Sequence, residues 1–161
     1  MNVIRIASRV ANVPAAEGEF AVPVGEIIAT LQTLLCAKYA IEMSYRSYAD
    51  RIKGLWRDAL VGHWHEHAKE ERDMTYDLAM KIVGLGSDPI QTNIAIPPCT
   101  ANEFAFCKCL AAQELEGIKT ERKIIEMAGS NTGLMVLMES HIDLDSKHLD
   151  DLARMTSNFK S

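Results

Sequence analysis

The apolar residues of this chain fall into four long runs with helical spacing, and the residues that interrupt helices gather between those runs. After Pro23 the first run extends from about Ile27 to Ile52, with Leu31, Leu34, Leu35, Tyr39, Ile41, Met43 and Tyr45 at helix-compatible positions and no internal breaker. Gly54 marks a tight reversal. From about Leu55 to Val83 the pattern repeats through Leu60, Trp64, His67, Met74, Leu78 and Ile82, and the short link predicts a second helix antiparallel to the first. A third helix is expected from about Ala101 to Met127, carrying Phe104, Leu110, Leu115, Ile118, Ile124 and Ile125. Gly129-Ser130-Asn131 ends it and caps a fourth helix, about Thr132 to Met155.

Between the second and third helices, Gly84 to Thr100 contains Gly-Leu-Gly-Ser-Asp-Pro and then Pro97-Pro98, which cannot continue a helix. A connection this long can cross from one end of a bundle to the other, so that the third helix starts at the far end. The expected fold is therefore an all-α four-helix bundle over residues 24–156, made of two antiparallel hairpins joined by a long crossover. Tails at 1–23 and 157–161 flank it. With 161 residues, 48% of them apolar, the chain suits one domain with one core.

A net charge of -5 argues against a broad basic surface for nucleic acid, since phosphate contacts need clustered Lys and Arg. Arg5 and Arg9 in the N-terminal tail are only two cations. No stretch approaches the roughly 18 uncharged apolar residues of a membrane helix, and the N-terminus lacks the apolar core of a secretory signal. A cytoplasmic protein without membrane contact is the expectation. Cys36, Cys99, Cys107 and Cys109 are too few and too unevenly placed for a disulfide framework, so free thiols are expected.

Several polar residues share faces with the apolar ones. On the second helix Glu66, Glu70, Asp73 and Asp77 line one side, either as a solvated acidic stripe or as ligands. On the fourth, Met138, His141, Asp145, His148 and Leu152 share the inward face, which would bury two imidazoles and a carboxylate. Glu114 lies one turn from Leu110 and one from Ile118. Together, Glu70-x-x-Asp73, Glu114 and Asp145-x-x-His148 would place oxygen and nitrogen donors on three adjacent helices, and burying that much negative charge requires a divalent metal or a Lys.

With these residues the chain resembles the bacterioferritin and Dps-like branch of the ferritin-like superfamily, from the first helix to the fourth. The strongest matches are Gln113-Glu114-Leu115-Glu116-Gly117 and Asp145-Ser146-Lys147-His148-Leu149-Asp150. The family has one Glu on each of the first and third helices and a Glu-x-x-His pair on each of the others. Glu114 fits directly, Asp145-x-x-His148 fits with a shorter carboxylate, and Glu70-x-x-Asp73 fits with Asp in place of His. Aligning Leu34-Leu35 and Tyr45 with the family's Leu-Leu and Tyr puts Lys38 where a bridging Glu belongs. Lys38 could neutralise the carboxylates in place of a metal, whereas Glu42, one turn on, could serve as the missing ligand. His141 completes the candidate set. The family's haem-ligating Met position holds Glu71, which does not support haem, and the Cys99 of the crossover matches only loosely a cysteine of some relatives.

The resemblance implies a di-iron or other divalent-metal site at which ferrous iron is oxidised by dioxygen or peroxide, serving iron storage or peroxide detoxification. It also implies a cage-like homo-oligomer of about 12 or 24 subunits. Glu70, Asp73, Glu114 and Asp145 would give oxygen ligands, His148 a nitrogen, and Tyr45 a neighbouring hydrogen-bond or redox partner. The alternative is a ferritin-like oligomer without redox chemistry, in which Lys38 replaces the metal.

Overall fold

A computed structural model describes residues 19–54, 57–90 and 103–158. They form four helices, α1 (Val24–Ala49), α2 (Arg57–Gly84), α3 (Glu103–Met127) and α4 (Thr132–Asn158), with no strand among the described residues. The expected all-α bundle is the architecture found. The middle of the crossover with Cys99, the start of the third helix at Ala101, and Arg5 and Arg9 lie outside the described residues.

The helix ends differ from the expected ones for local reasons. Pro23, at φ -53, directly precedes α1, since its missing N–H is no loss at a helix start. At the other end Arg51 and Ile52 donate back to Tyr48 and Ala49, three residues earlier, so the chain tightens into the turn instead of continuing to Ile52. The α4 helix runs beyond Met155 and takes in Ser157 and Asn158, which the sequence assigns to the tail. Its start is capped by Asn131, whose Oδ1 accepts the Leu134 N–H at 2.8 Å.

Contacts between helix ends fix the topology. The Ala21 N–H, just before α1, donates to the Met127 carbonyl at the end of α3 (3.1 Å), and Tyr48 near the end of α1 stacks on Phe106 near the start of α3 (3.7 Å between centroids). The α1 and α3 helices are therefore antiparallel, which requires the intervening connection to cross the length of the bundle. The α1 helix packs against α2 and α3, and α4 against α3.

The core is apolar at both ends and charged in the middle. Ile27, Leu31, Leu34, Leu35, Leu78, Ile82, Ile124, Leu134 and Met138 fill one end; Ile41, Tyr45, Tyr48, Trp64, Phe106, Leu110 and Leu152 fill the other. Between them lie the fully buried Lys38, Glu71, Glu114, Glu121 and Asp145. Each fully buried aliphatic side chain contributes about 1.5–3 kcal/mol, and these two layers offset the desolvation of the charged waist. By length and a mean hydropathy of 1.3, α1 would also pass for a membrane-crossing helix. Here its apolar face closes the bundle core, and Lys38 in its centre meets carboxylates from neighbouring helices.

The turn between α3 and α4 is strapped by residues 19–21. The Glu19 carbonyl accepts from the Ser130 N–H (2.8 Å) and hydroxyl (3.1 Å), and its carboxylate accepts from the Asn131 amide (2.9 Å). Gly129 stands at φ +61, and a Cβ there would come within 2.6 Å of Ala21 N and 2.7 Å of Glu19 O. Gly129→Ala is expected to cost about 2 kcal/mol or more, from the left-handed backbone and the displaced strap together. Urea unfolding checks it: an unchanged midpoint would mean that the strap does not hold this turn.

Candidate metal centre

A seam of alternating three- and four-residue steps along each helix builds the charged waist. On α1 it reads Leu31, Leu34, Lys38, Ile41, Tyr45; on α2, Trp64, His67, Glu71, Met74, Leu78; on α3, Leu110, Glu114, Gly117, Glu121, Ile124; on α4, Leu134, Met138, His141, Asp145, His148, Leu152. The polar members fall at matching heights. Gly117 gives α3 no side chain where Lys38 and Asp145 meet; a Cβ there would sit 3.5 Å from Asp145 Oδ2 and 3.7 Å from Lys38 Nζ.

Lys38 Nζ donates to Asp145 Oδ2 and lies 3.5 Å from Glu71, 3.5 Å from Glu121 and 3.9 Å from Glu114. On the far side of Glu71 and Glu114, His148 Nδ1 stands 3.2 Å from Glu71 Oε1 and 3.2 Å from Glu114 Oε1, while its Nε2 is 2.9 Å from Glu70 Oε2. A single Nδ1–H can serve only one of its two carboxylates well. The Tyr45 hydroxyl donates to Glu114 Oε1 at 2.8 Å. Both Glu71 oxygens, both Glu121 oxygens, Glu114 Oε2 and Asp145 Oδ1 are buried without a hydrogen-bond partner among the described residues.

Of the residues singled out from sequence, the fold brings together Lys38, Tyr45, Glu114, Asp145 and His148, with Glu70 half-buried at the rim. Asp73 is exposed on the outer side of α2, about 100° around the helix from Met74 of the seam. Glu42 is buried but turns to Arg72, whose Nε is 3.1 Å from its Oε1. His141 is buried, neither ring nitrogen has a hydrogen-bond partner among the described residues, and Nε2 lies 4.0 Å from Asp77, outside the ligand group. The inward carboxylate of α2 is instead Glu71, joined by Glu121 and, beside His148, by His67. A signal for Glu71 was present: it lies four residues after His67 and three before Met74, whereas Glu70 lies one position off that seam. Glu121, seven residues after Glu114 and three before Ile124, obeys the same rule. With Glu71 inward, the position that the resemblance assigns to a haem ligand moves to Arg72, a cation with a half-exposed side chain.

Charge balance in the waist follows from burial. Burial pushes Glu71 up to about 8, reinforced by Glu114 and opposed by Lys38, and it pushes Glu121 up to about 8 against the pull of Lys38. Asp145 rises to about 6, again through burial. For Lys38, burial favours the neutral amine, but the carboxylates Glu71, Asp145, Glu121 and Glu114 outweigh it and hold the ammonium above its ordinary range. Burial likewise opposes the His148 cation, and its contacts with the Glu114 and Glu71 carboxylates overcome it, raising His148 to about 10. Tyr45 is pushed well up by burial and by Glu114, so it remains a phenol. At neutral pH Lys38 and His148 are then cations beside the Asp145 carboxylate, while Glu71 and Glu121 keep their protons.

Glu71, Glu114, Asp145 and His148 offer ligand atoms that all lie within 4.8 Å of one another. The Nδ1–Oε1 gaps of 3.2 Å are close to the edge of an octahedron with ~2.2 Å metal–ligand bonds, about 3.1 Å. The donor set and its unpartnered oxygens fit one divalent ion on the His148 side. They do not fit two, because Lys38 Nζ fills the other half. On the outer face His67, Glu70 and His148 form a second potential group.

The family described as Ferritin-like domain matches residues 28–161. Among solved structures, ferritin-like diiron-carboxylate proteins from Bacillus anthracis str. Ames superpose with a TM-score of 0.75 at 24% identity, covering 83% of this chain and 96% of theirs. A DPS protein from Vibrio cholerae O1, a member of a broad superfamily of ferritin-like diiron-carboxylate proteins, superposes with a TM-score of 0.76 at 19% identity, covering 82% and 89%. No curated protein matches by sequence.

Two outcomes follow from the charged waist. In chelator-treated protein at pH 8, Lys38→Met leaves buried carboxylates without their cation and is expected to cost about 3 kcal/mol or more in urea unfolding; an unchanged midpoint would show that Lys38 does not balance them. For wild type without metal, Glu71, Glu121 and His148 keep protons in the fold that the unfolded chain releases. Stability should therefore fall as pH rises from 6.5, the ordinary His value, toward the folded value of about 8 for the two Glu. His67 and His141, both held down to about 4 mainly by burial, oppose the trend only while unfolded imidazoles lose their protons around 6.5, and Glu71, Glu121 and His148 together outweigh them. Thermal melts across that window check the sign: a rising melting temperature would contradict the protonated waist.

Proposed function

The chain belongs to the ferritin-like family, and on that premise we propose that it takes up ferrous iron, as substrate and cargo, at a one-ion site beside Lys38. Oxidation by dioxygen or peroxide follows uptake. The observation that carries this reading is the convergence of Glu71, Glu114, Asp145 and His148 from three helices on one buried point. Three oxygens and one imidazole suit a borderline divalent ion such as Fe2+.

Each side chain has a task that its surroundings support. Glu70 accepts from His148 Nε2, so once the Nδ1 proton leaves, the lone pair of Nδ1 points inward as a ligand. Tyr45 donates to Glu114 Oε1 and fixes the carboxylate plane. Asp145 and Glu121 hold Lys38, a permanent positive charge that keeps the carboxylate-rich site from needing a second cation. Uptake of one ion then releases protons from His148 and Glu71, so affinity should weaken toward low pH.

Assembly into a hollow homo-oligomer belongs to the same reading. Tyr76 and Met80, one turn apart on α2, are 66% and 53% exposed, and Val136 on α4 is 56% exposed, apolar surface that neighbouring copies would cover. A cytoplasmic setting, in which Cys36, Cys107 and Cys109 stay reduced, suits it too. A second reading is favoured by the ion pairs of Lys38 with four buried carboxylates: the ammonium alone balances the centre, and the protein is a non-redox relative.

Anaerobic Fe2+ titration followed by addition of dioxygen or peroxide separates the two. The iron reading expects oxidant consumption that rises with bound iron and is lost in Glu114→Gln and in Glu71→Gln. No consumption at any iron loading, together with a metal-free protein by elemental analysis, would leave the second reading standing. Light scattering should give a mass many times that of one chain.

A further inference from the structure

Outside the waist, one turn farther toward the start of α2, His63 and His67 stand four residues apart on the same face and point at Asp151 of α4. His67 Nε2 is 3.4 Å and His63 Nε2 is 3.9 Å from the same oxygen, Asp151 Oδ2. These contacts are too long to be good hydrogen bonds, and His63 Nε2 is buried with no hydrogen-bond partner among the described residues. His67, buried itself, has a Nδ1 that is likewise unpartnered. The rings are held side by side, 4.4 Å between centroids, and the other Asp151 oxygen, Oδ1, accepts from Arg154, leaving Oδ2 free to face the imidazoles.

We propose that His63, His67 and Asp151 form a second, peripheral site for a borderline divalent transition-metal ion such as Zn2+ or Co2+. Two imidazoles one turn apart and a monodentate carboxylate from the facing helix make a three-donor set. In a tetrahedral site with bonds of about 2.05 Å the donors stand about 3.4 Å apart, close to the 3.4 Å found and a small closure from the 3.9 Å. The ligand atoms already lie within 4.8 Å of one another. The fourth position faces outward, where the His63 side chain is 32% exposed, so the ion keeps a water. Hard cations that prefer oxygen, such as Mg2+, do not suit two imidazoles. The site shares no ligand with Glu71, Glu114 or Asp145 and does not depend on the iron reading, although the His67 ring stacks on that of His148 at 4.2 Å.

The test is titration of the chelator-treated full chain with Co2+, read by the visible absorption of four-coordinate Co2+, with Zn2+ displacing it. Glu114→Gln, which disables the central site, is expected to keep the four-coordinate band. His63→Ala is expected to lose the band and one equivalent of tight Co2+ while keeping the helical circular dichroism of wild type. His63 is half-exposed, and Asp151→Asn, which conserves shape, should lose the band in the same way should the alanine variant fold poorly. A band that survives both His63→Ala and Asp151→Asn, or no four-coordinate band in wild type, overturns the proposal. Disappearance of oxidant consumption with the band intact would instead concern only the central site.

Discussion

An ammonium group with no access to water, set among four carboxylates, is the constraint around which this bundle is organised. Taken singly, each of these charges would cost several kcal/mol to bury. Lys38 is tolerated because Glu71, Glu114, Glu121 and Asp145 arrive from the three other helices at one height. The same contacts hold the helices in register: sliding one by a turn would strand charges on both sides. The apolar layers above and below exclude water from the waist and supply the favourable free energy that it lacks.

Lys38 also decides what kind of centre this can be. It stands where a second cation would have to go, between Asp145 and Glu121, and leaves only the His148 side for an ion. On the proposed reading, the ferritin-like scaffold here keeps one fixed cation, Lys38, and one place for an exchangeable ion. Burial pushes Glu71 and Glu121 up, and Glu114 and Glu71 raise His148 against its own burial, so all three hold protons at neutral pH. Metal binding and protonation are then competing ways of neutralising the same carboxylates.

The imidazoles of α2 and α4 form a column that leads outward from the waist. His148 stacks on His67 and His67 packs against His63, with Tyr45 and Trp64 walling it on one side. Glu70 and Asp151 stand along this column and Glu71 and Glu114 at its foot. Nitrogen donors prevail toward the surface and oxygen donors in the centre, so an ion at the proposed outer site would meet a softer ligand set than one in the waist.

Four helices, their order and the long crossover were legible in the sequence, because helical periodicity and helix breakers are local properties that a few neighbouring residues decide. So were Lys38, Tyr45, Glu114, Asp145 and His148, each of which lies on the apolar face of its own helix. On α2 two adjacent glutamates compete for the inward position, and a rotation of about 100° separates burial from exposure. Reading Glu70 and Asp73 as a pair followed the spacing of the acidic stripe through Glu66, Glu70, Asp73 and Asp77, whereas the seam through His67, Met74 and Leu78 selects Glu71. Glu121 and the approach of Asp151 to His63 and His67 could not be read from one helix at all, since they depend on the height at which neighbouring helices dock. That height is set by charge pairing and side-chain packing between segments far apart in the chain, and only the tertiary structure decides it.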